Sequence, residues 1–251
     1  MNANAIVNEA QTAQNGEPQV SVRRPGGEIT KRKLHVIFMP DRSGSMFHNG
    51  KIQALNNAMQ DTIPAMQKTA SQNPQADVHA RVLAFSDDVN WIVENPVPIA
   101  DFRWTPMSAG GQTAMGKALS TIAMVLDVPP MDARGFSPAV ILVSDGQPTD
   151  DFDAGLQEFM SRPWGKKAIR LAIGIGQDAD KDVLGRFIGN PEIPVLEANN
   201  PEMLTRFLRF ASTMAIQRAS RPSGSGNTNV GLAAVTAPAT ALSGPSSLQV
   251  W

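Results

Sequence analysis

Residues 36–48 read VIFMPDRSGSMFH, an apolar run that ends in oxygen-bearing side chains. Asp41, Ser43 and Ser45 stand at every second position, with Gly44 between the serines. Two more oxygen donors stand far along the chain: Thr113 closes SAGGQT, and Asp145 follows the apolar run AVILVS in VSDGQPTDD. Carboxylates and hydroxyls without histidine or cysteine suit a hard divalent cation, Mg²⁺ first, with Mn²⁺ or Ca²⁺ as alternatives. Two carboxylates and three hydroxyls half-satisfy such an ion and leave a coordination position open. In a turn leaving a strand, alternate residues can face one side, and Gly44 permits backbone conformations that other residues resist. Taken singly, each residue also reads as a helix cap, with Ser43 or Ser45 capping a helix that starts near Met46 and Asp145 capping the next one. Five such residues at three strand ends favour one shared site.

The elements that must position them alternate. A buried-strand run at 34–40 (LHVIFMP) precedes a helical stripe of Ile52, Leu55, Met59, Ile63 and Met66. Residues 78–86 alternate as a strand, and VNWIVE at 89–94, after Asp87 and Asp88, predicts a hairpin partner. A second stripe, Met115, Leu119, Ile122 and Leu126, marks a helix that stops before Pro129 and Pro130. AVILVS at 139–144 is continuous and apolar, as a central parallel strand covered on both faces must be. A helix near 151–160, a strand at 168–175, a short helix near 180–188 and a short strand at 193–197 follow. The last helix opens on Asn200 as cap, with Pro201 in its first turn and a stripe of Leu204, Phe207, Leu208 and Ala211. The expected fold is α/β: a doubly wound, mostly parallel sheet with one antiparallel edge strand and helices on both faces. Ligands of such sheets bind beyond the carboxyl ends of the strands, where the oxygens lie.

DRSGSM, the distant GGQT and the SDG after an apolar strand together resemble the metal-ion-dependent adhesion site (MIDAS) of von Willebrand factor A (VWA) domains, whose pattern is DxSxS, Thr, Asp. The likeness spans roughly residues 34–216. It implies that Ser43, Ser45 and Thr113 supply hydroxyl oxygens, with Asp41 and Asp145 close by, directly or through water. It also implies that a partner protein's Asp or Glu fills the open position, with no catalysis. The MPDRSGSM opening is similar to bacterial TerY-type VWA proteins of tellurium resistance and associated kinase and phosphatase modules, which points to stress response or phosphosignalling. Some of those carry a cysteine-rich zinc appendage; this chain has no cysteine. The alternative is a metal-dependent phosphohydrolase or nucleotide-binding enzyme on the same sheet.

Composition narrows the classes. The 251 residues are 42% hydrophobic, enough for a core, and 22 basic against 23 acidic side chains give a net charge of -1. That balance speaks against nucleic acid and anionic membranes as partners. Residues 34–216 hold 15 basic and 20 acidic side chains, so the expected domain is mildly acidic. The absence of cysteine excludes disulfides and thiolate sites and suits a reducing cytoplasm. No stretch has the length and apolarity of a signal peptide or a spanning helix. By composition, 1–30 is a flexible tail, 31–216 the folded domain and 217–251 a disordered Ser/Gly/Pro/Ala-rich tail ending in Val250 and Trp251, an apolar pair suited to docking.

Other motifs weigh less. GQTAMGK at 111–117 approaches a phosphate-binding loop, but Ala118 stands where the motif needs a hydroxyl. Gly174, Gly176 and Ala179 fit G-x-G-x-x-A, yet Asp178 and Asp180 place acids where a pyrophosphate would sit. DRSGSM is not G-x-S-x-G, and an aspartyl-phosphate enzyme would want an acid where Ser43 stands. Of the histidines only His48 is near the cluster, as a surface residue of the first helical turn.

Overall fold

A computed structural model describes residues 30–219; the calls on 1–29 and 220–251, including docking through Val250 and Trp251, lie outside the described residues. Six strands form one sheet: β1 (Arg32–Pro40), β2 (Ala76–Phe85), β3 (Val89–Pro98), β4 (Ala139–Ser144), β5 (Ile169–Ile175) and β6 (Leu196–Ala198). Their order is β3-β2-β1-β4-β5-β6. All neighbours are parallel except β2 and β3, which pair as the expected hairpin at the sheet edge. Every residue of β4 is buried, as its unbroken apolar sequence requires.

Side-chain alternation along β1 divides the core in two. Leu34, Val36 and Phe38 face one side, where α1 (Lys51–Ser71) contributes Leu55, Met59 and Met66 and α6 (Pro201–Ala219) contributes Leu204, Leu208 and Ala211. Ile37 and Met39 face the other, against Met115, Leu119 and Ile122 of α2 (Met115–Ala123), Phe159 of α3 (Phe152–Ser161), and Leu184 and Phe187 of α5 (Lys181–Ile188). A single turn, α4 (Pro163–Lys167), joins α3 to β5. The stripe residues of α1, α2 and α6 are buried except Ile52, which is half-buried; α2 ends at Ala123, so Leu126, expected in that helix, buries from the segment after it. The α2 and α3 helices touch at glycines: a Cβ on Gly155 would meet the Gly116 carbonyl oxygen, and one on Gly116 the Asp151 carbonyl oxygen.

One expectation is corrected and one alternative falls. The first helix does not run on from Met46. Residues Gly44–Gly50 form a 3₁₀ segment broken at His48 and Asn49, and α1 starts at Lys51. Asn49 (φ 54°) and Gly50 (φ 72°) take the left-handed conformation, which a continuous helix cannot contain and which Asn and Gly tolerate best. The cap reading of the site residues also fails. Ser43 makes no side-chain cap bond, Asp151 and not Asp145 caps α3 by accepting from Ala154 N, and Asn200 caps α6 through Met203 N as expected.

Candidate metal centre

Parallel strands β1 and β4 deliver their chain ends side by side, and the residues beyond them are locked by backbone bonds. Asp41 N donates to Val143 O at 2.8 Å and Arg42 N to Phe85 O at 2.9 Å, so the first loop leaves the sheet held between β4 and β2. Gly44 N donates to Gly111 O and Gly110 N to Arg42 O, each at 2.8 Å, which knits that loop to the segment before α2. A Cβ at Gly44 would lie 3.1 Å from the Gly111 carbonyl oxygen, and its φ is outside the left-handed region, so the glycine serves close approach and not the special backbone conformation expected from the sequence. Thr113 N donates to Thr149 Oγ1 at 3.1 Å and Thr149 N to Thr113 O at 2.9 Å, tying in the loop after β4. The loops carrying all five sequence-predicted residues are thus stitched together at the carboxyl end of the sheet. Asn56 of α1 supports the middle loop from below: it donates to Met107 O and accepts from Met107 N and Trp104 Nε1 at 2.8–3.0 Å.

Asp41 is wholly buried. Its Oδ1 accepts from Ser43 N at 2.7 Å, and its Oδ2 accepts from the Ser144 hydroxyl at 2.5 Å, within the range of a hydroxyl on a carboxylate. Ser144 Oγ in turn accepts from Gly146 N at 2.8 Å. Burial pushes the Asp41 carboxyl up to about 6; the Ser144 and Ser43 bonds oppose that shift, and the charge of Asp145 adds to it. Ser43 is buried, Ser45 is half-buried, and their hydroxyl oxygens lie 2.9 Å apart. Thr113 is buried as well.

Asp145 is the anomaly. It is 3% exposed, and among the described residues neither carboxylate oxygen has a hydrogen-bond partner. Among the described residues the one cation within 4 Å is Lys51 Nζ, 3.9 Å from Oδ2 and beyond hydrogen-bond reach. A buried, unpartnered carboxylate is costly, and a cation is the natural remedy. Among the described residues no three His, Cys, Asp or Glu side chains gather as a metal site, so any ion held here leans on hydroxyls. The donor types present, two carboxylates and three hydroxyls around orphaned oxygens, fit a hard divalent ion.

The von Willebrand factor type A domain family model matches residues 35–217. The chain belongs to that family. No curated protein matches it significantly. Among solved structures, a von Willebrand factor type A protein from Catenulispora acidiphila is 18% identical with a TM-score of 0.56, over 74% of this chain and 43% of that one. The ArnB paralog VWA2 from Sulfolobus acidocaldarius is 20% identical with a TM-score of 0.52, over 70% and 44%. Proximal thread matrix protein 1 from the mussel byssus, with a zinc-occupied MIDAS motif, is 20% identical with a TM-score of 0.55, over 74% and 46%. This chain spans less than half the length of each, and likeness at such identity shows the VWA fold.

Sequence reasoning missed three residues of the site: Ser144, Lys51 and Asp178. Ser144 reads as the last residue of a buried strand, and its hydroxyl after AVILV was the available signal. Lys51 is 3% exposed, which nothing in the polar run HNGK at the start of α1 announces. The phosphate-loop likeness finds no free helix end, because the Asp150 carboxylate accepts from Gly116 N (2.8 Å) and Lys117 N (2.7 Å) of α2. At the dinucleotide-like turn, Asp180 likewise caps α5 through Val183 N. His48 is exposed.

Proposed function

We propose that this VWA domain is a metal-dependent protein-interaction module. Ser43, Ser45 and Thr113 would hold a divalent cation, with Asp41 and Asp145 as carboxylate ligands directly or through water; Mg²⁺ is the leading ion, with Mn²⁺ or Ca²⁺ as alternatives. Bound there, the ion would supply an electrophilic position for an Asp or Glu of a partner protein. The orphaned carboxylate of Asp145 carries this reading, since a buried charge without donors calls for a cation. Phe47, two residues past Ser45 and 72% exposed, offers apolar surface beside the site. The zinc-occupied MIDAS motif of the byssus protein supports metal binding by this fold.

The module is proposed to act without catalysis: the α2 N-terminus, where a phosphate could be cradled, is occupied by Asp150. The TerY-like opening MPDRSGSM supports a setting in bacterial stress response or phosphosignalling, and the lack of cysteine supports the cytoplasm. Among the described residues no helix is long and apolar enough to cross a membrane. Calorimetric titration with Mg²⁺ and Mn²⁺, and affinity capture with and without EDTA, test the reading. Saturable binding abolished by Asp145→Ala is expected; an Asp145→Ala protein that binds metal and partner normally refutes it. Turnover of phosphoesters or nucleotides in Mg²⁺ or Mn²⁺ would favour the enzymatic alternative.

A further inference from the structure

Lys51 is the first residue of α1, yet its side chain is 4% exposed. It runs inward to the turn after β5, where Nζ donates to Asp178 Oδ1 at 3.0 Å and Oδ2 at 3.3 Å. Asp178 cannot account for this burial: its own side chain is 64% exposed, and a lysine can meet such a partner in water. Burying an ammonium is costly unless other negative charge lies nearby. That charge is Asp145, whose Oδ2 is 3.9 Å from Nζ. The path is built for the lysine. Gly176 has φ +90°, and a Cβ there would lie 2.9 Å from Nζ and 3.0 Å from Cε of Lys51.

We propose that Lys51 is a tethered counter-cation that competes with the divalent ion for Asp145 and so sets the metal affinity of the site. The inference rests on the metal-binding reading above. At 3.9 Å the ammonium offsets the carboxylate charge without consuming its lone pairs, so both Asp145 oxygens stay free to ligate. Asp178 holds Nζ back from Asp145.

The two neighbours of Asp145 can be perturbed in opposite directions. Mn²⁺ is titrated calorimetrically at fixed pH into the full-length wild type, Lys51→Met and Asp178→Asn. Lys51→Met is expected to bind Mn²⁺ about tenfold more tightly, the scale on which neighbours of ligands alter metal affinity. Asp178→Asn, on an exposed side chain that leaves the fold intact, is expected to bind several-fold more weakly, because Lys51 then turns to Asp145. Mn²⁺ binding by Lys51→Met but not by wild type would also support the competition. Wild-type binding left unchanged or weakened by Lys51→Met overturns this inference alone, and so does unchanged or tighter binding by Asp178→Asn. No binding by either wild type or Lys51→Met overturns the metal reading together with it.

Discussion

Asp41→Asn should stabilise the metal-free protein while removing its response to metal. Burial raises the Asp41 carboxyl from 3.8 to about 6, so the folded chain binds that proton more tightly than the unfolded chain does. The stabilisation from this group is therefore complete below pH 3.8 and is lost as pH rises through 6. A shift of about 2 units corresponds to about 3 kcal/mol, of which roughly 2 kcal/mol disappears between pH 4.5 and pH 7.5. Asparagine keeps the shape: its carbonyl can accept from Ser43 N, and its amide can donate to Ser144 Oγ in place of the bond that hydroxyl now makes. Urea unfolding in EDTA should find Asp41→Asn about 2–3 kcal/mol more stable than wild type at pH 7.5, with the gap narrowing by about 2 kcal/mol at pH 4.5. Mg²⁺ at a hundred times its dissociation constant should add about 2.7 kcal/mol to the wild type and nothing to the variant. A variant less stable than wild type in EDTA at pH 7.5, or a gap independent of pH, refutes the claim that the site stores unfavourable charge.

His35, buried beside Arg81 and stacked on His79, works in the opposite sense: burial first, and Arg81 next, lower its pKa from 6.5 to about 4. Its contribution is full above pH 6.5 and is lost as pH falls toward 4, up to about 3 kcal/mol, so His35→Phe should show less acid destabilisation than wild type in urea titrations at pH 7.5 and 4.5. Asn56→Ala strands the Trp104 indole N–H and both backbone groups of Met107; a cost of about 2–4 kcal/mol and faster hydrogen exchange in residues 104–112 are expected. Gly155→Ala drives a methyl into the Gly116 carbonyl and should cost about 1–3 kcal/mol in thermal or urea unfolding by prising α3 from α2.

What the sequence disclosed, and what it hid, follows from the range of each interaction. The strands and helices were legible because each writes its own period: β4 as an unbroken apolar run, α1 as Leu55, Met59, Ile63 and Met66 at helical spacing. That the loops carrying the five candidate donors meet was legible because the spacing within DRSGS is local and because strand order brings strand ends together. The 3₁₀ break at Asn49 and Gly50 was a local signal that the apolar residues beyond it outweighed. Lys51 was hidden for a different reason. Whether a lysine at a helix start is solvated or buried depends on a glycine 125 positions later, whose missing Cβ opens the path, and no local pattern encodes that coincidence. Asn56 is the intermediate case, a polar residue set in an apolar stripe, which announces a buried hydrogen-bond partner without saying which.

The oxygens and the lysine also differ in what they must achieve. A ligand set works if its members share one end of the sheet, a demand that topology meets almost unaided. A counter-charge works only at one distance, close enough to offset Asp145 and too far to hydrogen-bond with it. Holding Nζ at 3.9 Å takes the left-handed turn at Gly50, the side-chain-free Gly176 and the Asp178 anchor together. On the proposed reading, the family pattern of DxSxS, Thr and Asp specifies that a cation can be held, while the contacts around Lys51 would govern how tightly. Related domains that keep the pattern but lack a lysine at this position, or a glycine opposite it, should bind divalent ions with different affinity on the same set of ligands.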